Sequence, residues 1–290
     1  METHLSRREE GLILPTFCLN LRRAGWYRRP SDPSEPDRDI ELRSEVQKVA
    51  LEWPAYGSRR ITAELRQRGW VVNCKRVQRL MREDNLLCLR RRKFVITTDS
   101  NHNLRVYPNL ARRMTLNGVD QLWRADITYI RLEAEFVYLA VILDAFSRRV
   151  IGWALDRTLK DSLTLEALRM ALAHRTVTTH LVHHSDRGVQ YASGNYTQLL
   201  KDHHIRISMS RKANPWDNAA CESFMKTLKS EEVYRTEYRD LAQARARIGE
   251  FLEAVYNQKR LHSALDYCSP AEFELRLRGK KDAASRRLTA

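Results

Sequence analysis

Apolar residues recur at helical spacing early in the chain and at strand spacing further on. Ile40 to Trp53 reads as an amphipathic helix that Pro54 and Gly57 break. Ser58 then reads as the cap of a second helix reaching Arg68, with Ile61 and Leu65 on its buried side, and Gly69 makes the turn. Asn73 reads as the cap of a third helix, Cys74 to Glu83, whose Val77, Leu80 and Met81 face inward. After residue 119 the pattern changes. Leu122 to Ile130 is rich in β-branched and aromatic residues and predicts a strand. Trp123, Ala125, Ile127 and Tyr129 lie on one of its faces, and Arg124, Asp126 and Thr128 on the other. Phe136 to Leu143 is an unbroken apolar run, as expected of a strand covered on both faces. Asp144-Ala145-Phe146-Ser147 turns into a third strand, Val150 to Leu155, with Asp144 read as a turn former rather than a ligand. Leu163 to His174 and Tyr196 to His203 predict helices, and His180 to Ser185 and Ile205 to Met209 predict strands. A proline turn at Pro215, with Asp217 and Asn218 as cap candidates, opens a helix carrying Glu222. Leu241 to Tyr256 is a long helix, followed by Arg260-Leu261-His262 and a basic terminus.

Charge changes this picture from a fold to a partner. A net charge of +15 over 290 residues, with Arg dominating the basic side, points to a polyanion bound by forked contacts. Lys75, Arg76, Arg79 and Arg82 lie off the apolar stripe of the third helix. A capped basic helix after a short glycine turn is a helix-turn-helix candidate, with that helix entering the DNA major groove. The five cysteines are scattered without paired spacing, which argues against a zinc site and a disulfide framework. Leu12-Ile13-Leu14 is too short for a signal peptide core, and no apolar run approaches the roughly 20 residues of a membrane span. The expected location is the cytoplasm. Residues 1–39 form an N-terminal segment and Pro-rich linker, and 40–93 the helix-turn-helix module. Residues 94–118 form a connector, 119–275 the core with its C-terminal helices, and 276–290 a basic tail.

Three acids stand where regular elements end or turn inward: Asp126 in the first strand, Asp186 after an apolar run and before Gly188, and Glu222 early in its helix. Glu222, Lys226 and Lys229 lie at i, i+4 and i+7 and share one helix face, while Cys221, Phe224, Met225 and Leu228 cover the other. His183 and His184 point to opposite faces of a strand and read as structural.

With 35 residues between Asp186 and Glu222, the acids resemble the Asp-Asp-Glu set of transposases and retroviral-type integrases. Trp123 to Ile130, His184 to Tyr191, and Asp217-Asn218-Ala219 leading to Glu222-Ser223-Phe224 resemble more closely the second-frame product of the insertion-sequence-three family of bacterial transposases. Tyr256 to Leu265 followed by Ser269-Pro270, and a basic residue, Lys229, seven after the Glu, also match; the likeness runs from about residue 17 to 275. The segment Cys18 to Tyr27 resembles the opening of that frame.

The resemblance, together with the order of elements, implies an α/β, ribonuclease-H-like integrase catalytic core, a mixed five-stranded sheet with helices, preceded by an all-α helix-turn-helix module. It implies hydrolysis that frees a 3′-hydroxyl at the element's end, followed by attack of that hydroxyl on another phosphodiester. It further implies Asp126, Asp186 and Glu222 as catalytic and metal-binding residues, with Mg²⁺ as cofactor and Mn²⁺ as the alternative ion. Asp126 would be shared between two ions, and Lys229, roughly 10 Å along the helix from Glu222, would meet DNA with Lys226. The implied partners are the element's terminal inverted repeats, target DNA, further copies of the chain in a synaptic complex, and an upstream-frame product. A nuclease of this fold would lack the helix-turn-helix and the Tyr256 to Leu265 segment. A DNA-binding regulator without activity would not need all three acids.

Overall fold

The computed structural model describes residues 39–86, 104–177, 179–211 and 215–288. The segment Cys18 to Tyr27, the linker up to residue 38 and the basic stretch Leu87 to Lys93 lie outside the described residues.

The helical module is α1 (Ile40–Glu52), α2 (Ser58–Gln67) and α3 (Cys74–Glu83). It buries Val46 and Val49 of α1, Ile61 and Leu65 of α2, and Val77, Leu80 and Met81 of α3. Asn73 caps α3 through its side chain, which accepts from the Lys75 amide at 2.9 Å. Ser58 does not cap α2. Gly57 holds that position without a side-chain bond, and its carbonyl accepts from Arg60 and Ile61 at 2.9 and 3.1 Å. Gly69 makes the turn to α3 with φ 89°, a left-handed conformation that costs glycine little. Arg43 ties α1 to the end of α3 through Glu83 at 2.8 Å and through Asp84.

The core is one sheet of five strands in the order β3-β2-β1-β4-β5. Its members are β1 (Leu122–Arg131), β2 (Phe136–Asp144), β3 (Val150–Asp156), β4 (Val182–Ser185) and β5 (Arg206–Met209). β1, β2 and β3 pair antiparallel, whereas β4 runs parallel to β1 and β5 parallel to β4. The sheet is therefore mixed, as expected from three consecutive strands followed by helix-strand alternation. α4 (Asp161–His174), the short α5 (Val189–Ala192) and α6 (Gly194–Asp202) cover one face, where Trp123, Ala125, Leu168, Tyr196 and Leu200 are buried. α7 (Ala219–Leu228) and α8 (Leu241–Glu250) cover the other, with Val141, Leu143, Phe224, Leu228, Ile248 and Leu252 in that core.

Two elements depart from the periodicity. The expected helix Leu241 to Tyr256 is α-helical only to Glu250 and continues as a π-helical turn over Phe251–Tyr256. A second π-helical turn, Lys229–Val233, follows α7. The last helix, α9 (Pro270–Leu288), runs on through residues that composition alone presents as a basic tail.

Asp144 closes the β2–β3 turn. Its buried carboxylate accepts from the amides of Asp120, Phe146 and Ser147 at 2.7, 3.0 and 2.7 Å. Asn257 pairs with β3 as a strand would, accepting from the Val150 amide and donating to its carbonyl, each at 2.9 Å. β3 is an edge strand, so this amide side chain satisfies backbone groups that would otherwise lie open.

α4 crosses β3 at a glycine. A Cβ on Gly152 would lie 2.2 Å from the Ala167 carbonyl oxygen and 2.9 Å from the Ala171 amide nitrogen, both backbone atoms. Gly152→Ala should therefore force helix and sheet apart and cost at least the ~1–3 kcal/mol of overpacking. A melting temperature equal to wild type in a thermal denaturation scan would contradict this close approach.

Candidate active site

The parallel register of β1 and β4 pairs Arg124 with His184. Asp126 and Asp186 each lie two residues beyond that last pair of the ladder, the first within β1 and the second just past the end of β4. Asp186 does not dangle there, because its Oδ1 accepts from the Gly188 amide at 2.9 Å and holds the turn into α5.

Glu222 arrives from the other side, in the first turn of α7, where a carboxylate is favoured by the helix dipole. Two clamps fix that turn on β1. The Asn218 amide donates to the Ala125 carbonyl at 3.2 Å, and the Arg124 guanidinium donates to the Asp217 carbonyl. Both contacts sit beside Asp126. The sequence suggested that Asp217 and Asn218 cap the helix with their side chains, but these are engaged elsewhere. Asn218 occupies the cap position without a side-chain cap bond, and the Asp217 carboxylate takes the Arg211 guanidinium at 3.1 Å and its amide at 2.9 Å. Arg211 holds the Asp217 carboxyl well below the usual carboxylate range.

Asp126, Asp186 and Glu222 are all half-buried. Burial, then the Asp186 charge, then that of Glu222 push the Asp126 carboxyl up to about 7, against the Ile127 amide and the Lys229 ammonium, which pull it down. Asp126 thus feels both of the other acids. Among the described residues, no three His, Cys, Asp or Glu side chains are gathered closely enough to grip an ion as they stand.

Lys229 departs from the simple picture of a lysine face. Its Nζ lies 4.7 Å from the Tyr129 ring centre, in cation–π geometry, and it interacts with Asp126. Burial lowers its pKa, with Asp126 opposing. Lys226 is exposed. Lys75, Arg76, Arg79 and Arg82 are all exposed on α3, remote in sequence from the acids, and Arg79 pairs with Glu83 at 3.1 Å.

Both histidines are structural. His183 Nε2 meets the Tyr196 hydroxyl at 2.9 Å, while His184 spans Ser208 at 2.8 Å and Ser210 at 3.1 Å. Burial first, then His184 beside His183 and the Arg124 guanidinium beside His184, pushes them down to about 3 and about 4, so both are neutral near pH 7.

Several residues that brace the site carry no signal in periodicity. Arg260 is 3% exposed and forks onto Glu231, just after α7, with two bonds of 2.8 Å. The Leu261 amide donates to the Tyr56 hydroxyl of the helical module at 2.8 Å. Buried Glu274 gathers Ser147, Arg149 and Arg175 at 2.7, 2.8 and 2.6 Å. The Tyr256 to Leu265 match marked the first two regions, but only as a likeness. Glu274 looks like any helix-surface glutamate.

Family models of known proteins match along the chain: an HTH-like domain over residues 36–94 and an integrase core domain over 117–215 and again over 203–270. A relative from Shigella sonnei, the insertion element IS600 uncharacterized 31 kDa protein, is 38% identical over 88% of this chain and 95% of its own. The transposase InsF for insertion sequence IS3A of Escherichia coli (strain K12) is 35% identical over 93% of this chain and 96% of its own. Among solved structures, the catalytic core domain of BIV integrase aligns with a TM-score of 0.43 and 19% identity, covering 56% of this chain and 98% of that one. With such identity along nearly the whole length of these relatives, the chain belongs to the insertion-sequence-three family of transposases.

Proposed function

We propose that Asp126, Asp186 and Glu222 form one divalent-metal site at which this transposase cleaves DNA and transfers strands. The observation that carries the proposal is the convergence of three acids from three separately anchored elements, close enough to raise the proton affinity of Asp126. A set of carboxylate oxygens suits a hard cation that keeps several of its waters, so Mg²⁺ is the proposed resident ion and Mn²⁺ its substitute. Two such ions when bound offset the charge that develops on the entering and leaving oxygens of an in-line displacement, and activate the nucleophile. Asp126, which feels both other acids, would be the acid common to both ions, and Asp186 and Glu222 would each help to hold one. Arg124 and Asn218 set the depth of Glu222 by holding α7 against β1.

In the proposed sequence, hydrolysis exposes a 3′-hydroxyl at the element's end. That hydroxyl attacks a second phosphodiester in the same site, and no covalent protein–DNA intermediate forms. Lys226 in α7 and Lys229 at the start of the following π-helical turn carry positive charge toward the DNA terminus. Residues 40–93 supply recognition of the terminal inverted repeats through Lys75, Arg76, Arg79 and Arg82, and 94–118 link them to the chemistry of 119–275. The working form is a homo-multimer holding element ends and target DNA in the cytoplasm, with an upstream-frame product as a further partner. Among the described residues, no helix is long and apolar enough to cross a membrane.

Asp126→Asn, Asp186→Asn and Glu222→Gln should each reduce Mg²⁺-dependent nicking of an end-containing duplex by about 10³-fold or more, since metal catalysis is worth several kcal/mol. End binding should survive, and a double variant should be hardly worse than a single one. Nicking at the wild-type rate by any single variant would remove that acid from the site. Asp144→Asn is a poor control, because Asp144 ties the β2–β3 turn together.

Arg76→Ala combined with Arg79→Ala should weaken end binding by about 1–3 kcal/mol if either residue reads a base, or flatten the salt dependence if both meet phosphates. Binding isotherms on end and scrambled duplexes at several salt concentrations separate these outcomes. Unchanged affinity for both duplexes excludes α3 as the recognition helix.

The third test is a pH profile. The metal-free native chain holds a proton on Asp126 up to about pH 7, whereas an unfolded chain releases it near pH 4. Between these values the native state binds the extra proton, so this group makes stability fall as pH rises from about 4 to about 7. In chelator, Asp126→Asn should melt above wild type at pH 8, by on the order of 1–2 kcal/mol, and the two should converge near pH 4. Parallel melting curves across that range would show that Asp126 is not crowded by the other acids.

A further inference from the structure

Two tyrosine rings, Tyr191 on α5 and Tyr196 on α6, lie edge to face with their centres 5.4 Å apart. Both are buried, Tyr191 at 2% and Tyr196 at 1% exposure. They differ in one respect. The Tyr196 hydroxyl meets His183 Nε2 at 2.9 Å, whereas the Tyr191 hydroxyl has no hydrogen-bond partner among the described residues. A buried hydroxyl without a partner is destabilising, and phenylalanine would fill the same space without that cost.

The place of this unpaired group is informative. Asp186 Oδ1 takes the Gly188 amide at 2.9 Å, and the Gly188 carbonyl takes the Tyr191 amide at 3.1 Å, so Asp186 and Tyr191 belong to one structured turn. The hydroxyl is also within electrostatic reach of Asp186 and Asp126. We propose that Tyr191 is a positioning residue whose hydroxyl is held in reserve for the Asp186 carboxylate and donates to it once a divalent cation draws the acids together. The inference rests on the metal reading above. It accounts for two observations together: acids near one another but not gathered for an ion, and a buried donor in the Asp186 turn with no hydrogen-bond partner among the described residues. Outer hydrogen bonds of this kind orient ligating carboxylates, and their loss typically lowers metal affinity 10–100-fold.

The test is Tyr191→Phe in the full chain, read by thermal melting in chelator and across a Mg²⁺ titration, with Tyr196→Phe beside it. In chelator Tyr191→Phe should melt about 2–4 °C above wild type, having lost an unpaired buried group. The Mg²⁺ concentration giving half of the stabilisation should rise about 10-fold. Tyr196→Phe should melt below wild type, because it strips His183 of its partner, and keep the wild-type Mg²⁺ midpoint. An unchanged midpoint in Tyr191→Phe, beside a normal wild-type response, overturns this inference and leaves the three acids standing as a metal site. A wild-type chain with no Mg²⁺ response overturns both.

Discussion

Carboxylates brought near one another repel, and a fold that sets Asp186 and Glu222 within electrostatic reach of Asp126 must hold each in place by bonds the acids themselves do not provide. In this chain the anchoring is distributed. The parallel ladder of β1 and β4 ends two residues before Asp126 and Asp186, and backbone ladders fix both strands. Glu222 is held by the clamp of Asn218 and Arg124 on the residues around Asp126. Partial compensation comes from the Lys229 ammonium seated on the Tyr129 ring and from the positive end of α7. What remains uncompensated appears as an Asp126 that holds its proton to about pH 7.

A second layer steadies the first. α7 passes into a π-helical turn, where Glu231 meets the nearly buried Arg260 in a forked pair. Removing one partner of such a pair typically costs ~3–5 kcal/mol, because the other is left charged and buried. The same C-terminal segment fastens Asn257 to the edge of β3 and Leu261 to Tyr56 of the helical module. Glu274 gathers the Ser147 hydroxyl, Arg149 and Arg175 behind the turn that Asp144 closes.

Much of this was legible in residue patterns, because burial imposes periodicity. The α2 and α3 stripes, the two-faced β1 and the continuous apolar β2 all follow from which side chains avoid water. The acids stood out because carboxylates are uncommon where a strand or buried helix is expected. Contacts between residues far apart in sequence leave no such trace. Nothing about Asn218 signals that its amide will be used on Ala125 instead of capping a helix, and nothing about Tyr191 signals that its hydroxyl lacks a partner among the described residues while that of Tyr196 has one. The π-helical turns are equally silent, since their side chains obey an amphipathic pattern until the backbone slips.

The Asn257 and Arg260 contacts have a consequence for the order in which the molecule is made. A ribosome delivers Asp126, Asp186 and Glu222 before it delivers residue 257, so a nascent chain gathers its acidic residues while the edge of β3 and the carboxylate of Glu231 are still unattended. The pieces that brace this part of the fold emerge after all three acids, and one of them, Leu261, reaches back to a tyrosine made two hundred residues earlier. Translation that stops short of this segment leaves a protein with every acid present and its supports missing.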